Sequence, residues 1–196
     1  MRSLLTAPAL LPFAAIAFAY VGVEAATTIF AVPYANDALE LSPDRGRTAI
    51  SAFWFGLLVG RVGSAASTRL LQPRLFVAAG LLGAVCMIVG VASASPRILL
   101  VFGLTGFAWG CVYPLMITLA GRQFPYSPGT ATGLAAGFGA AGGFVVPWLT
   151  GAIGDAWGIV PAVGSIALWS VLIAGGGLMA LRLRPPPVED IGAKRE

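Results

Sequence analysis

A long apolar run with a single charge in its middle constrains this chain more than any other feature. Between Phe13 and Pro33 alanine, isoleucine, valine and aromatic residues dominate, and Glu24 is the only charged residue. About 20 mostly apolar residues can cross a bilayer as a helix, whereas a carboxylate inside hydrocarbon needs a partner. Another apolar segment supplies one candidate partner, Arg61. The sequence therefore predicts a membrane helix that carries a paired or functional carboxylate.

The overall composition agrees with that prediction. Of the 196 residues, 58% are hydrophobic and 10% are charged, whereas ordinary soluble domains have roughly 25% charged residues. The net charge of +4 would favour nucleic-acid binding in a soluble protein. Here most basic residues lie in short loops between apolar runs, where they orient helices. We therefore expect an all-α integral membrane protein whose surroundings are the lipid bilayer and which binds no nucleic acid.

The residue types that most enzymes and metal sites need are missing or isolated. The chain has no histidine, and Cys86 and Cys111 both fall inside apolar segments. This excludes the usual zinc and haem ligand sets and a histidine-assisted nucleophile. Asp155 follows a glycine-rich stretch that superficially resembles an aspartyl-protease motif, but no second intramembrane aspartate accompanies it. We expect no enzymatic activity, no metal and no cofactor.

Six apolar segments are long enough to span a membrane and form one domain over residues 1–184. Residues 185–196, which begin with three prolines and continue with charges, are expected to be a disordered tail. Six helices also make two sets of three, the number found in transporter halves built from inverted repeats. The predicted segments are 8–34, 49–71, 75–94, 98–121, 128–154 and 159–181.

Lysines and arginines are unevenly divided between the two sides of such a bundle. Because basic residues concentrate in cytoplasmic loops, the side with more of them is expected to be cytoplasmic, as in a prokaryotic inner membrane. That side would carry both termini. It would hold Arg2, Arg69, Arg74, Arg122, Arg182, Arg184, Lys194 and Arg195, against Arg45, Arg47 and Arg97 on the outer side.

The fifth segment is the richest in glycine. Gly129, Gly133 and Gly137 recur every four residues, and Gly143 and Pro147 follow. Small residues at this spacing share one helix face and let a neighbouring backbone approach closely. Proline removes one backbone hydrogen bond and favours a kink. The pattern predicts tight helix packing, and leaves open whether the same face also slides or bends as a gate.

Four residues inside apolar segments are candidate site residues. Arg61 lies too deep for its side chain to reach the interface, so it needs a carboxylate, helix-end carbonyls or a substrate. Trp109 and Tyr113 suit sugars or other amphipathic solutes, although such rings more commonly pack or anchor a helix. Glu24 is a proton-coupling site, a substrate acceptor or a structural partner of Arg61. Burial favours its neutral form and a close arginine favours its charged form.

Three stretches resemble the C-terminal half of transporters of the major facilitator superfamily, in its fucose-permease-like branch. Residues 20–24 (YVGVE) are similar to the opening helix of that half. Residues 60–63 (GRVG), followed by 69–75, are similar to the connection between its second and third helices. Residues 129–155 look like the fifth or eleventh helix of the superfamily. The resemblance covers roughly residues 10–184 in the same order.

The resemblance implies a six-helix half of that fold, a 3+3 inverted repeat, in a secondary transporter. Such a protein moves a small solute, such as a sugar, by symport and alternating access. The residues expected to bind substrate or a proton are then Glu24, Arg61, Tyr20, Trp109 and Tyr113. The usual unit has twelve helices, so a second copy or a separate membrane subunit would have to cover the open face. The alternative is a non-transporting subunit derived from a transporter half.

Overall fold

Helices make up nearly all of the chain that the computed structural model describes, residues 7–65, 72–93 and 98–183, and these ranges contain no β-strand. A 3₁₀ turn precedes the first α-helix at Pro8–Leu10, and a π-helical turn follows it at Tyr34–Ala38. The α-helices are α1 (Leu11–Pro33), α2 (Pro43–Ala65), α3 (Arg74–Ser93), α4 (Ile98–Gly110), α5 (Val112–Gln123), α6 (Pro128–Trp157) and α7 (Ile159–Ala180).

Six helical stretches in this part of the chain are long and apolar enough to cross a membrane. The first is α1 with its flanking turns, the fourth combines α4 and α5, and the other four are α2, α3, α6 and α7. The predicted all-helical architecture with six membrane-length helices is therefore confirmed. The predicted tail, residues 185–196, and Arg69 lie outside the described residues.

The first connection is shorter than the sequence predicts. The sequence predicts a connection over residues 36–48, with Ser42 or Asp44 capping a short interfacial helix within it. In the structure helical conformation continues to Ala38, and the long helix α2 already begins at Pro43. Proline suits the first position of a helix, and the negative charge of Asp44 in the first turn interacts favourably with the positive end of the helix dipole. Asp44 also forms an exposed ion pair with Arg47 at 2.6 Å. Local signals for starting a helix thus outweigh polarity here.

The fourth span consists of two helices that meet at Cys111. Pro114 explains the break, because proline has no N–H and its ring crowds the carbonyl four residues earlier. That carbonyl belongs to Gly110, the last residue of α4. The break places Tyr113 in the first turn of α5, where its backbone is no longer part of one continuous helix.

Three helix pairs make the most extensive contacts: α1 with α6, α2 with α4, and α3 with α7. The two members of the first pair run parallel, as do those of the second, whereas α3 and α7 are antiparallel. Further contacts join α1 to α7 and α3 to α4. The first and fourth spans are the most buried, and α2 and α6 turn most of their surface outward. The core therefore lies around α1 and the α4–α5 span.

Glycines permit the close approach of α2 and α4. A Cβ on Gly56 or Gly60 would collide with backbone carbonyl oxygens of α4. A Cβ on Gly106 or Gly110 would collide with backbone carbonyl oxygens of α2. Small residues on both sides of a contact are typical of membrane helices whose backbones nearly touch. This pair of helices is consequently held at a fixed separation, which positions the residues of α2 against the rest of the bundle.

The packing of α6 on α1 does not use the first glycines of the predicted stripe. Gly133 and Gly137 are exposed, and a Cβ on either would meet no described atom within 4 Å. Contact is made instead by Gly142, whose Cβ would strike the backbone of Phe18, and by Gly143, which is partly buried against α1. A four-residue period identifies a helix face but not its partner. The predicted stripe faces away from the chain's own core.

Candidate functional site

Glu24 and Arg61 come together between the first two spans. The Nη2 atom of Arg61 lies 3.3 Å from Oε2 of Glu24 and donates a hydrogen bond to it. The glutamate side chain is 19% exposed and the arginine side chain 37% exposed. Isolated charges at such positions would be costly in a membrane, so mutual pairing accounts for their coexistence. The pair still keeps a partly open side, which a purely structural pair does not require.

Tyr20 completes a three-residue cluster with this pair. Its hydroxyl donates to Oε2 of Glu24 and accepts a hydrogen bond of 2.8 Å from Nη2 of Arg61. Tyr20 precedes Glu24 by four residues on α1, a spacing that brings side chains to the same helix face. The ring itself is buried. One hydroxyl therefore connects both charged groups and fixes their relative position.

Tyr113 brings the α4–α5 span to the same cluster. Its ring centroid lies 5.8 Å from that of Tyr20, with the two ring planes tilted by 35°. Tilted aromatic pairs at this separation attract each other beyond simple burial. Tyr113 is partly buried and stands just after the break at Cys111. Four of the five predicted binding residues thus lie together, contributed by three different spans.

Arg61 retains hydrogen-bonding capacity that the described residues do not use. Nη2 makes both contacts described above, while the buried Nε has no partner among the described residues. A buried donor without a partner costs roughly 1–3 kcal/mol. The cluster carries one positive and one negative formal charge, next to two aromatic rings. Such a site can hold a polar solute through hydrogen bonds, exchange a proton at Glu24, or fix α1 against α2.

Trp109 lies elsewhere, fully buried between α2, α3 and α7. Its indole N–H donates to Oγ of Ser170 at 2.8 Å, and that hydroxyl donates to the carbonyl oxygen of Gly80 at 2.7 Å. Phe53 packs edge-on against the indole at 6.0 Å. The structure therefore does not bring Trp109 to the charged cluster, and gives its N–H a structural partner. The sequence offered no signal for this pairing, because Ser170 is one serine among many apolar neighbours.

Pro147 lies inside α6, which runs as a single helix from Pro128 to Trp157. It is partly buried and directly follows Val146, whose side chain contacts Gly22 on α1. Its position next to a tight helix contact agrees with a packing role. A gating role for Pro147 stays a prediction.

Cysteine and acidic side chains do not gather into a metal site in the described part of the chain. Cys86 and Cys111 are free thiols. A scan against protein-family models and a search of curated proteins both found no match to this chain. The cluster of Tyr20, Glu24 and Arg61 is accordingly interpreted from its own geometry.

Proposed function

We propose that this chain is one half of a secondary active transporter of the major facilitator type. In this proposal it moves a small polar solute, of which a sugar is an example, by alternating access and proton symport. A second copy of the chain or a separate membrane subunit covers the open face. The helices cross a prokaryotic inner membrane with both termini in the cytoplasm.

The cluster of Tyr20, Glu24 and Arg61 is the observation that carries this proposal. Intramembrane ionisable residues are rare and usually mark a substrate or ion pathway. Here two charges from different spans meet beside aromatic rings and remain partly exposed. The Nε of Arg61, although itself buried, also lacks a described partner. A rigid structural pair would be expected to be closed on all sides and fully satisfied. The partly open arrangement favours a site that exchanges partners.

The pairing of the helices supports the six-helix half fold. Suppose that the first, second and third spans correspond to the fourth, fifth and sixth. The parallel pair of α1 and α6 then corresponds to the parallel pair of α4 and α2. In the same correspondence the pair of α3 and α7 matches itself. The contact of α1 with α7 matches the contact of α4 with α3. This is the contact pattern expected of two three-helix repeats of inverted topology.

The coupling of solute transport to proton transport would depend on Glu24. As a carboxylate it forms an ion pair with the guanidinium of Arg61 and accepts a hydrogen bond from the hydroxyl of Tyr20. A proton bound to Glu24 would remove the negative charge that attracts Arg61, leaving the guanidinium available to a solute oxygen. Binding of proton and solute would then be linked through one ion pair, and the free energy of each would depend on the other.

Proteoliposomes test this proposal. We expect the purified chain, alone or with a co-purified membrane partner, to accumulate a labelled polar solute faster when a pH gradient is imposed. Glu24→Gln should reduce this pH-driven uptake about tenfold or more, since glutamine cannot bind the coupling proton and lacks the charge that strengthens the hydrogen bond from Arg61. Asp44→Asn alters an exposed carboxylate outside the cluster and should leave uptake unchanged. Absence of uptake in every combination of partner and solute would refute transport.

A non-transporting subunit is the second candidate, and the exposed glycines of α6 favour it. Gly133 and Gly137 meet no described atom, although their spacing suits close helix packing. In a larger complex they would contact another protein. That role predicts stoichiometric co-purification with the complex and an assembly that survives Glu24→Gln.

A further inference from the structure

A second site of interest lies at the end of the bundle where α3 and α6 begin. A cavity of about 220 Å³ opens there between the start of α1, the start of α3 and the ends of α5 and α7. Its wall is largely apolar and comprises Phe13, Leu119, Ala180 and Leu183. Pro73 and Arg122 also line the opening. The cavity therefore combines an apolar wall with a cation.

Two further arginines flank this cavity in the chain. Arg74 directly follows the lining residue Pro73, and Arg182 directly precedes the lining residue Leu183. Arg74, Arg122 and Arg182 are all exposed. Neither of the ion pairs found within the described residues involves any of them. Three arginines, one lining the opening and two next to lining residues in the chain, thus have no acidic partner within the described residues.

Acidic residues are absent from this end of the described bundle. Glu24 lies near the middle of the first span, and the acidic residues of the α1–α2 connection and Asp155 at the end of α6 lie at the opposite end. The beginning of α3 adds the positive end of a helix dipole beside Arg74. An anion at the opening would therefore meet only favourable charges among the described groups.

We propose that this cavity binds the headgroup of an anionic phospholipid of the bilayer. The phosphate would lie among Arg74, Arg122 and Arg182, and the start of an acyl chain would lie against Leu119 and Leu183. Basic pockets between membrane helices are suited to anionic headgroups. The apolar wall favours a lipid over a free phosphate ion, which would gain nothing from contact with leucine side chains. The site is separate from the Glu24 cluster and does not depend on transport.

Lipid retention measured by native mass spectrometry tests this inference. The detergent-solubilised full chain would be equilibrated with phosphatidylglycerol and phosphatidylcholine carrying the same acyl chains. We expect preferential retention of phosphatidylglycerol. Arg122→Gln should weaken that retention about fivefold, as expected for one arginine at an anionic surface. Arg45→Gln is the matched control, because it removes an exposed arginine at the opposite end of the bundle.

Three results would overturn the proposal. Equal retention of the two lipids would show that no headgroup charge is recognised. If Arg122→Gln and Arg45→Gln weaken the retention of phosphatidylglycerol equally, the lipid is held only by general electrostatic attraction to the protein and not by this cavity. Displacement of phosphatidylglycerol by an equal concentration of glycerol 3-phosphate would indicate a soluble-phosphate site. If Arg122→Gln fails to fold, Arg182→Gln takes its place, and the same weakening is expected.

Discussion

At the scale of single residues, the hydroxyl of Tyr20 both donates and accepts a hydrogen bond within the described cluster. It donates to Glu24 and accepts from Arg61, so it lies between an anion and a cation. Its ring meanwhile packs against Tyr113. Removing the oxygen alone therefore separates the polar role of Tyr20 from its packing role.

We expect Tyr20→Phe to weaken the cluster without disturbing the fold. A double-mutant cycle with Glu24→Gln, measured by reversible unfolding in mixed micelles, should give a coupling of about 0.6–1.7 kcal/mol, the range typical of side-chain hydrogen bonds in membrane proteins. The coupling arises because Tyr20→Phe removes the donor of one hydrogen bond, whereas Glu24→Gln replaces its charged acceptor with a neutral, weaker one.

Tyr113→Phe provides the matched control for that cycle. It keeps the ring that contacts Tyr20, and no hydrogen bond joins its hydroxyl to Glu24 in the described structure. The coupling free energy between Tyr113→Phe and Glu24→Gln should be close to zero. Equal couplings for both tyrosines would contradict the assigned role of the Tyr20 hydroxyl.

At the scale of helices, glycine determines which faces can meet. Gly22 lies against the side chain of Val146, and Gly142 lies against the backbone of Phe18, so α1 and α6 approach closely over several turns. Gly137, which also belongs to α6, instead faces open space. Two glycines five residues apart thus have opposite structural roles, although the sequence treats them alike.

Alanine substitutions should reveal this difference. We expect Gly142→Ala to destabilise the protein by about 1–3 kcal/mol, because its Cβ would overlap a backbone carbonyl that cannot move independently. Gly137→Ala should be neutral or stabilising by about 0.5–1 kcal/mol, because alanine favours the helix. Thermal unfolding of the two variants in the same detergent provides the measurement.

The larger substitution Gly137→Leu extends the test to assembly. If the exposed face of α6 contacts another subunit, this change should lower the mass of the assembly in mild detergent while leaving monomer stability unchanged. A marked loss of stability in Gly142→Ala and Gly137→Ala alike would contradict the described contacts.

At the scale of the whole molecule, the arrangement of charge predicts orientation. An even number of spans places both ends of the described chain on the same side of the membrane. Arg74, Arg122 and Arg182 lie at that end, whereas Arg45 and Arg47 lie at the other beside acidic residues. From the positive-inside tendency we predict that the first end lies in the cytoplasm.

Reporter fusions measure this orientation directly. We expect green fluorescent protein at the C-terminus to fluoresce, because it folds in the cytoplasm. Alkaline phosphatase inserted in the connection 39–42 should be active, because it requires the periplasm. The reverse pattern would contradict the orientation while leaving the helix packing untouched.

Much of this architecture could be predicted from local sequence. Apolar composition and length predict the six membrane-length helices found in the described part of the chain, because each apolar stretch has its own preference for hydrocarbon. The first connection is shorter than predicted, because the helix that begins at Pro43 within the polar residues 36–48 is the long helix α2 and not a separate short helix. The break at Cys111 also had a local cause in Pro114, but proline is tolerated in membrane helices and gives no certain boundary.

The sequence by itself predicted that Glu24 and Arg61, two opposite charges inside apolar segments, each need a partner, because neither can remain alone in hydrocarbon. It left open whether they partner each other, which the tertiary structure shows. Only the tertiary structure decided that Tyr20 joins Glu24 and Arg61, that Trp109 bonds to Ser170 instead, and that Gly142 rather than Gly137 meets α1. The physical reason is that hydropathy is a property of each segment, whereas the rotation of one helix against another is fixed by contacts between segments distant in the chain.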